Sequence, residues 1–310
     1  MGTTYRIVVT GISDTFKHAS LQNDVEKTLE TICQIFSTYI SDSEISHFNQ
    51  CDANKWFSIS QDLYYVVKAA ADISRKTDGA FDITVGPTVD LWGFGTETKS
   101  KTRDVPNESE ILEIKKSIGY ENVELQETPP ALRKLQRNVK LDASAIAKGF
   151  AVDEILALLM KRKGILGAMV EIGGEIRCFG KRHDGSNWTV GIQSPLRDRT
   201  GLAAKVSLHN ESVASSGDYL NYFEHNGQKI SHIMNPEKGT PVKSDVVATT
   251  VIGDSCMMCD AWATAFMVLD IQKSLDIAQR ENIGLMLIRK NSESSVEVIS
   301  NSKFKTYLIQ

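Results

Sequence analysis

The sequence predicts an α+β protein, a single large mixed domain over residues 1–310 with room for two lobes about a cleft. Two observations carry that expectation. Helical and strand-like periodicities are interleaved along the whole chain without a repeat period or a low-complexity linker. The 310 residues, 41% of them hydrophobic and 24% charged, are enough for a substantial buried core.

Residues 4–10 alternate as a β-strand, and Leu21, Val25, Leu29, Ile32 and Phe36 then recur at helical spacing to about Thr38. A second helix is expected over Ser60–Lys76, stopping at the Asp78-Gly79 turn signal. Residues 79–95, GAFDITVGPTVDLWGFG, are rich in glycine and aromatics without a period, which reads as a loop in an apolar shell. A charged surface excursion covers 96–109, a helix is expected over Glu108–Ser117, and Pro129-Pro130 marks a turn before a strand leading to Asp142.

The clearest helix spans 144–163, with Ser144 as its N-cap and Ile146, Phe150, Ile155, Leu158 and Leu159 along one face. Strand-like runs follow: AMVEI, EIRCFG, WTVGIQ, AAKVSL and SVASSG, with HDGSN as a hairpin signal. The chain closes on strand VVATTVIG, helix CDAWATAFMVL, helix Ile271–Glu281, and strands GLMLIR and VEVIS.

With 35 Lys and Arg against 39 Asp and Glu, the formal net charge is -4, which argues against duplex nucleic acid as the main partner. No apolar run approaches the roughly 20 residues a membrane-spanning helix needs. The opening MGTTYRIVVTGI reads as a strand rather than a secretory or lipoprotein signal. Five cysteines, with Cys256 and Cys259 as a lone CxxC, read as reduced thiols in preference to a redox or metal pair, so a cytoplasmic setting is expected.

Four stretches can carry chemistry. In DASAIAKGFAVD, residues 142–153, small residues open a helix with Lys148 in its first turn, where backbone N–H groups attract anions. The lysine opposes the helix dipole, so either a ligand or mere solvation accounts for it. In CDAWATAF, Asp260 and Thr264 lie i,i+4 on one helix face as hard oxygen donors of the kind Mg²⁺ accepts, or as a dipole partner and a packing residue. His232 ends a strand before a proline turn, suited to a general base or to a structural role. The pair Gly173-Gly174 suggests a bulge or a close backbone approach, for packing or for a planar ligand, and Phe81 with Asp82 sets an apolar ring next to an anion.

In their order along the chain these stretches resemble the FAD:protein FMN transferases, the ApbE-type flavin transferases. The matching motifs are MGTTY (1–5), SDSEISHFN (41–49), GAFDITVGP with LWGFG (79–95) and DASAIAKGFAVD (142–153). They continue with EIGGEIRCFG (171–180), SVASSGDY (212–219), SHIMNPEKGTPV (231–242) and DAWATAF (260–266). The resemblance implies Mg²⁺-dependent cleavage of FAD, with FMN passed to a Ser or Thr of an acceptor flavoprotein and AMP released. It implies that Asp260, Thr264 and the backbone carbonyl of Ala145 hold the metal. It implies FAD contacts at Met1, Ala80, Phe81, Asp82, Asp142, Lys148, Ile233 and Met234, with His232 taking the acceptor proton. Asn235 stands where the family usually has Asp, which removes a negative charge beside His232. A Mg²⁺-dependent FAD diphosphatase giving free FMN and AMP, and a non-catalytic flavin-binding protein, are the rival readings.

Overall fold

A computed structural model describes residues 2–13, 16–95, 105–196, 201–219, 221–292 and 295–309. The elements begin with β1 (Tyr5–Thr10), α1 (His18–Phe36), α2 (Glu44–Gln50), β2 (Phe57–Ser58), α3 (Gln61–Lys76), α4 (Gly86–Leu91) and α5 (Glu108–Lys115). Next come β3 (Val123–Gln126), β4 (Ala131–Lys134), α6 (Ala147–Met160), β5 (Gly167–Ile172), β6 (Glu175–Phe179), β7 (Trp188–Gln193) and β8 (Leu202–Leu208). Then follow β9 (Ser212–Gly217), β10 (Tyr222–His225), β11 (Gln228–Ser231), β12 (Met234–Asn235), β13 (Thr240–Pro241) and β14 (Val246–Gly253). The chain ends with α7 (Cys256–Val268), α8 (Ile271–Arg280), β15 (Gly284–Ser292), β16 (Ser295–Ser300) and α9 (Ser302–Lys305). The expected α+β class is borne out.

Packing groups the chain into two compact units, one of Met1–Thr31, Ile146–Gly217 and Ser244–Gln310, the other of Ile32–Ala145 and Asp218–Lys243. In the first, seven antiparallel strands run in the order β1-β5-β6-β9-β14-β15-β16. Helix α6 packs on β5 and β6, α7 on β9 and β14, and the two helices pack on each other. Phe150, Ile155, Val170, Val251, Trp262 and Phe266 are buried there, and the Trp262 and Phe266 rings stack at 5.5 Å. Helix α7 is apolar on almost every face, as a helix covered on several sides must be. Cys256 and Cys259 lie inside it as free thiols, and burial raises both well above the ordinary thiol range.

In the second unit β2, β4 and β3 form a small antiparallel sheet. Leu63, Val66, Val67, Ala70 and Ile73 bury one face of α3, while Ile45 and Phe48 bury α2. Trp92, Phe94 and Met234 form a separate apolar cluster, flanked by Phe223 and Ile230 of the β10–β11 hairpin.

Several elements differ from the sequence reading for local reasons. Residues 86–91 of the expected loop are helical, because Pro87 falls in the first turn, where its missing N–H costs nothing. The helix expected over 144–163 runs only over Ala147–Met160, and Ser144 does not cap it: the Ser144 N–H instead donates to Asp142 Oδ1 at 2.9 Å. Helix α7 begins a turn earlier than CDAWATAF suggested, capped by Ser255. Residues 96–104 of the expected surface excursion lie outside the described residues, and α5 opens immediately after it on an Asn107–Glu110 capping box. Among the described residues no helix is long and apolar enough to cross a membrane.

Candidate functional site

In the unit built on the seven-stranded sheet, the chemistry gathers where α6 meets α7. Gly149 makes that meeting close: a Cβ there would lie 2.3 Å from the Cys256 carbonyl oxygen and 2.7 Å from Met257 Cα, backbone atoms that cannot step aside. Asp153, one turn further along α6, fixes the start of α7. Its Oδ1 accepts from Cys256 N at 3.0 Å and Arg177 Nη1 at 2.7 Å, and its Oδ2 from Met257 N at 3.0 Å and Ser255 Oγ at 2.8 Å. Two of the orphan N–H groups of α7 are satisfied in this way, by a charge of the sign the helix N-terminus favours.

Asp260 follows one turn later, 2% exposed. Its Oδ2 accepts the Gly149 N–H at 3.0 Å, and Lys148 Nζ lies 3.1 Å and 3.3 Å from its two oxygens. The same ammonium is 3.1 Å from Glu175 Oε1. Thr264, a further turn along α7, shares a 3.1 Å hydrogen bond between its Oγ1 and Ser216 Oγ on β9. The structure therefore brings together Lys148, Asp260 and Thr264 of the sequence-derived set and adds Glu175 and Ser216.

The electrostatics of this cluster are lopsided, with two carboxylates facing one ammonium. Burial alone would lower the Lys148 ammonium, but Asp260 and Glu175 more than reverse this and hold it well above the ordinary lysine range. Glu175 is pushed up to about 8, first by burial and then by the charge of Asp260, with Lys148 opposing both. One of its oxygens, Oε2, is buried without a hydrogen-bond partner among the described residues.

Such a cluster can accept a small hard cation. Among the described residues no three His, Cys, Asp or Glu side chains converge as a metal cage. A carboxylate and a hydroxyl one helical turn apart instead suit Mg²⁺, which binds through one or two carboxylates and completes its shell with water and phosphate oxygens.

The second unit holds the remaining sequence-derived residues except Met1, which lies outside the described residues. Asp82 is 6% exposed. Its Oδ1 accepts from Thr84 N and Thr84 Oγ1, both at 2.7 Å, and its Oδ2 from Tyr120 N at 2.8 Å. Burial raises its carboxyl above the usual range, against the pull of those three donors. Ala80 is half-buried, whereas Phe81, the ring expected beside the Asp82 anion, is buried in protein, with its N–H on Thr77 Oγ1. Asp142, half-buried, turns the chain by accepting the Ser144 N–H, and Ala145 follows, also half-buried.

His232 is half-buried directly after β11, its ring 6.3 Å from that of Phe94. Its Nδ1 lies 3.0 Å from the Asn221 carbonyl oxygen, an acceptor, so Nδ1 carries the proton and Nε2 is the basic nitrogen. Ile233 donates its N–H to Ser231 Oγ and receives Val242 N on its carbonyl. Met234 is buried in the Trp92 and Phe94 cluster. Asn235 builds the turn that follows: its Oδ1 accepts the Lys238 N–H at 2.9 Å.

Sequence reading passed over Glu175, Asp153 and Ser216. Glu175 was visible in EIGGEI, where the glycine pair drew attention. Gly173 (φ 65°) and Gly174 (φ 107°) form the two-residue loop of a hairpin in which Ile172 faces Glu175, so the pair serves a tight turn and sets Glu175 at the start of β6.

The family model described as "ApbE family" matches residues 1–287. The FAD:protein FMN transferase of Vibrio cholerae serotype O1 is 37% identical over 311 residues, covering 99% of this chain and 90% of its own length. That of Escherichia coli K12 is 33% identical over 311 residues, covering 100% of this chain and 87% of its own length. The solved structure of the flavin transferase ApbE from Vibrio cholerae superposes with a TM-score of 0.89 at 35% identity, covering 99% of this chain and 96% of that one.

Proposed function

The chain belongs to the ApbE family, and from that premise we propose that it takes FMN from FAD and attaches it to a Ser or Thr of an acceptor flavoprotein, releasing AMP. The observation that carries this reading is the cluster of half-buried Lys148 with buried Asp260 and Glu175, one helical turn from Thr264. It supplies an ammonium for a phosphate oxygen beside hard oxygens for a divalent cation. Residues 1–310 are read as one functional domain.

Asp260 and Thr264, with the Ala145 carbonyl, are the assigned ligands of Mg²⁺, which when bound neutralises charge on the pyrophosphate. Lys148 holds a phosphate oxygen from the first turn of α6. Met1, Ala80, Phe81, Asp82, Asp142, Ile233 and Met234 are assigned to FAD. In the transfer, a bond forms between the acceptor hydroxyl oxygen and the FMN phosphorus while the bond from that phosphorus to the AMP oxygen breaks. The hydroxyl proton goes to His232 Nε2, histidine being the side chain suited to take a proton near neutral pH. FAD and a protein acceptor are the partners in this reading, with no role for nucleic acid. The five free cysteines support a cytoplasmic setting.

The test incubates the purified chain with FAD, Mg²⁺ and a flavoprotein subunit bearing a candidate Ser or Thr. Flavin fluorescence on the acceptor band of a denaturing gel that needs both Mg²⁺ and Asp260 (lost in Asp260→Ala) is the expected result. Free FMN and AMP without a labelled band, with any folded Ser/Thr acceptor supplied, would shift the assignment to a diphosphatase. Intact bound FAD would leave only a binding protein.

A further inference from the structure

The least explained group in the α6–α7 cluster is Glu175. Its side chain is 4% exposed, yet among the described residues only one carboxylate oxygen has a partner, Lys148 Nζ at 3.1 Å. Lys148 does not require it for neutrality, since Asp260 already lies 3.1 Å and 3.3 Å from the same nitrogen. Burying a second carboxylate against an ammonium that already has a partner is costly. The hairpin nevertheless places it there, with the Gly173-Gly174 turn fixing its position. The expense is repaid when Asp260 is drawn away from Lys148, because an ammonium left without a carboxylate in that pocket would be worse still.

We infer that Glu175 is a positioning residue for Lys148, retaining the ammonium beside the phosphates while Asp260 is engaged by a divalent cation. The inference rests on the assignment of Asp260 to Mg²⁺ and of Lys148 to FAD. Asp260 has two calls on its oxygens, Lys148 and the cation, and Glu175 allows it to answer the second without freeing the lysine to swing out to solvent. Glu175 touches neither FAD nor the cation in this role and acts through Lys148 alone.

A purely structural role would weaken FAD binding regardless of metal, whereas this role is metal-conditional, and that difference is the test. FAD affinity is read by flavin fluorescence quenching in stopped flow, before turnover and without acceptor, for the full chain and for Glu175→Gln. The amide keeps the shape and removes the charge. Glu175→Gln is expected within about threefold of wild type in EDTA, where Asp260 holds Lys148, and at least about tenfold weaker at saturating Mg²⁺. Glu175→Asp, keeping the charge on a shorter arm, should fall between the two at saturating Mg²⁺ and match wild type in EDTA. In a Lys148→Met background the Glu175→Gln effect should vanish. Equal losses with and without Mg²⁺, no loss at all, or an undiminished effect in Lys148→Met would each overturn the inference. If wild type binds FAD identically in EDTA and Mg²⁺, the metal assignment fails first, and if it binds no FAD, the functional reading fails; either result takes this inference with it.

Discussion

Asp82 shows how a single buried carboxylate can tie together two distant turns. Thr84 Oγ1 accepts the Gly119 N–H at 2.8 Å and donates its own O–H to Asp82 Oδ1, while Asp82 Oδ2 accepts the Tyr120 N–H. Residues 82–84 and 119–120 are thereby joined through the Thr84 hydroxyl and the Asp82 carboxylate, which uses both oxygens as acceptors. Asp82→Asn keeps one acceptor but turns an amide N–H toward the Tyr120 N–H, so it is expected to destabilise the fold by about 1–3 kcal/mol. The pH dependence has a definite sign. The folded carboxyl titrates above its unfolded value, so its proton-linked stability is complete below the ordinary carboxylate range and is lost as pH rises through the raised value. The wild-type advantage over Asp82→Asn should therefore be smallest above that value and grow as pH falls into the carboxylate range. Urea unfolding at stepped pH checks it, and an advantage that shrinks on acidification contradicts it. From sequence, Asp82 was visible as an anion next to Phe81, but its partners were not, because Gly119 and Tyr120 announce nothing about where their N–H groups point.

At the scale of elements, the geometry of α7 depends on α6. Periodicity locates both helices, and the i,i+4 spacing of Asp260 and Thr264 correctly sets them on one face. It cannot show that Asp153 of α6 receives the first N–H groups of α7, since the partners lie about a hundred residues apart. The expected Ser144 cap failed for a local reason: residues 142–144 form a turn closed by the Ser144 N–H on Asp142, and the helix starts later, at Ala147, with Ile146 in the N-cap position. Asp153→Ala would strip the start of α7 of a carboxylate with four donors, including Arg177, and leave those donors to water or to nothing. A loss of about 2–3 kcal/mol is expected. FAD consumption should fall as well, because Asp260 sits one turn from the loosened end. Asp153→Asn, which still accepts on one oxygen, should recover part of the stability. Urea midpoints and FAD turnover on the three proteins decide the matter, and an Asp153→Ala protein with an unchanged midpoint would refute it.

At the scale of the whole chain, strand alternation found β1, β5, β6, β9, β14, β15 and β16 but could not give their order, because alternation says which face is buried and nothing about the neighbour. The order joins distant stretches: β1 pairs with β5 from Tyr5↔Ile172 to Thr10↔Gly167, and the backbone continues the ladder through Leu166 N to Thr10 O and Gly173 N to Thr4 O. Pairings so distant in sequence are slow to form, and a β5 without its partner presents an open row of backbone donors and acceptors. Val170 and Ile172 are buried on β5, so the uncovered edge would also be apolar. Deleting residues 2–12 is therefore expected to cause self-association and to lower the urea midpoint by far more than deleting residues 307–310. The latter removes the ladder in which Tyr307 O accepts Ser207 N and Ile309 N donates to Lys205 O on β8, a hairpin that keeps its β7 partner. Size-exclusion chromatography and urea unfolding of the two deletions compare the edges directly. If the β1 deletion stays monomeric with a midpoint near that of the tail deletion, β5 is protected by something other than β1, and the sheet order is not what holds this unit together.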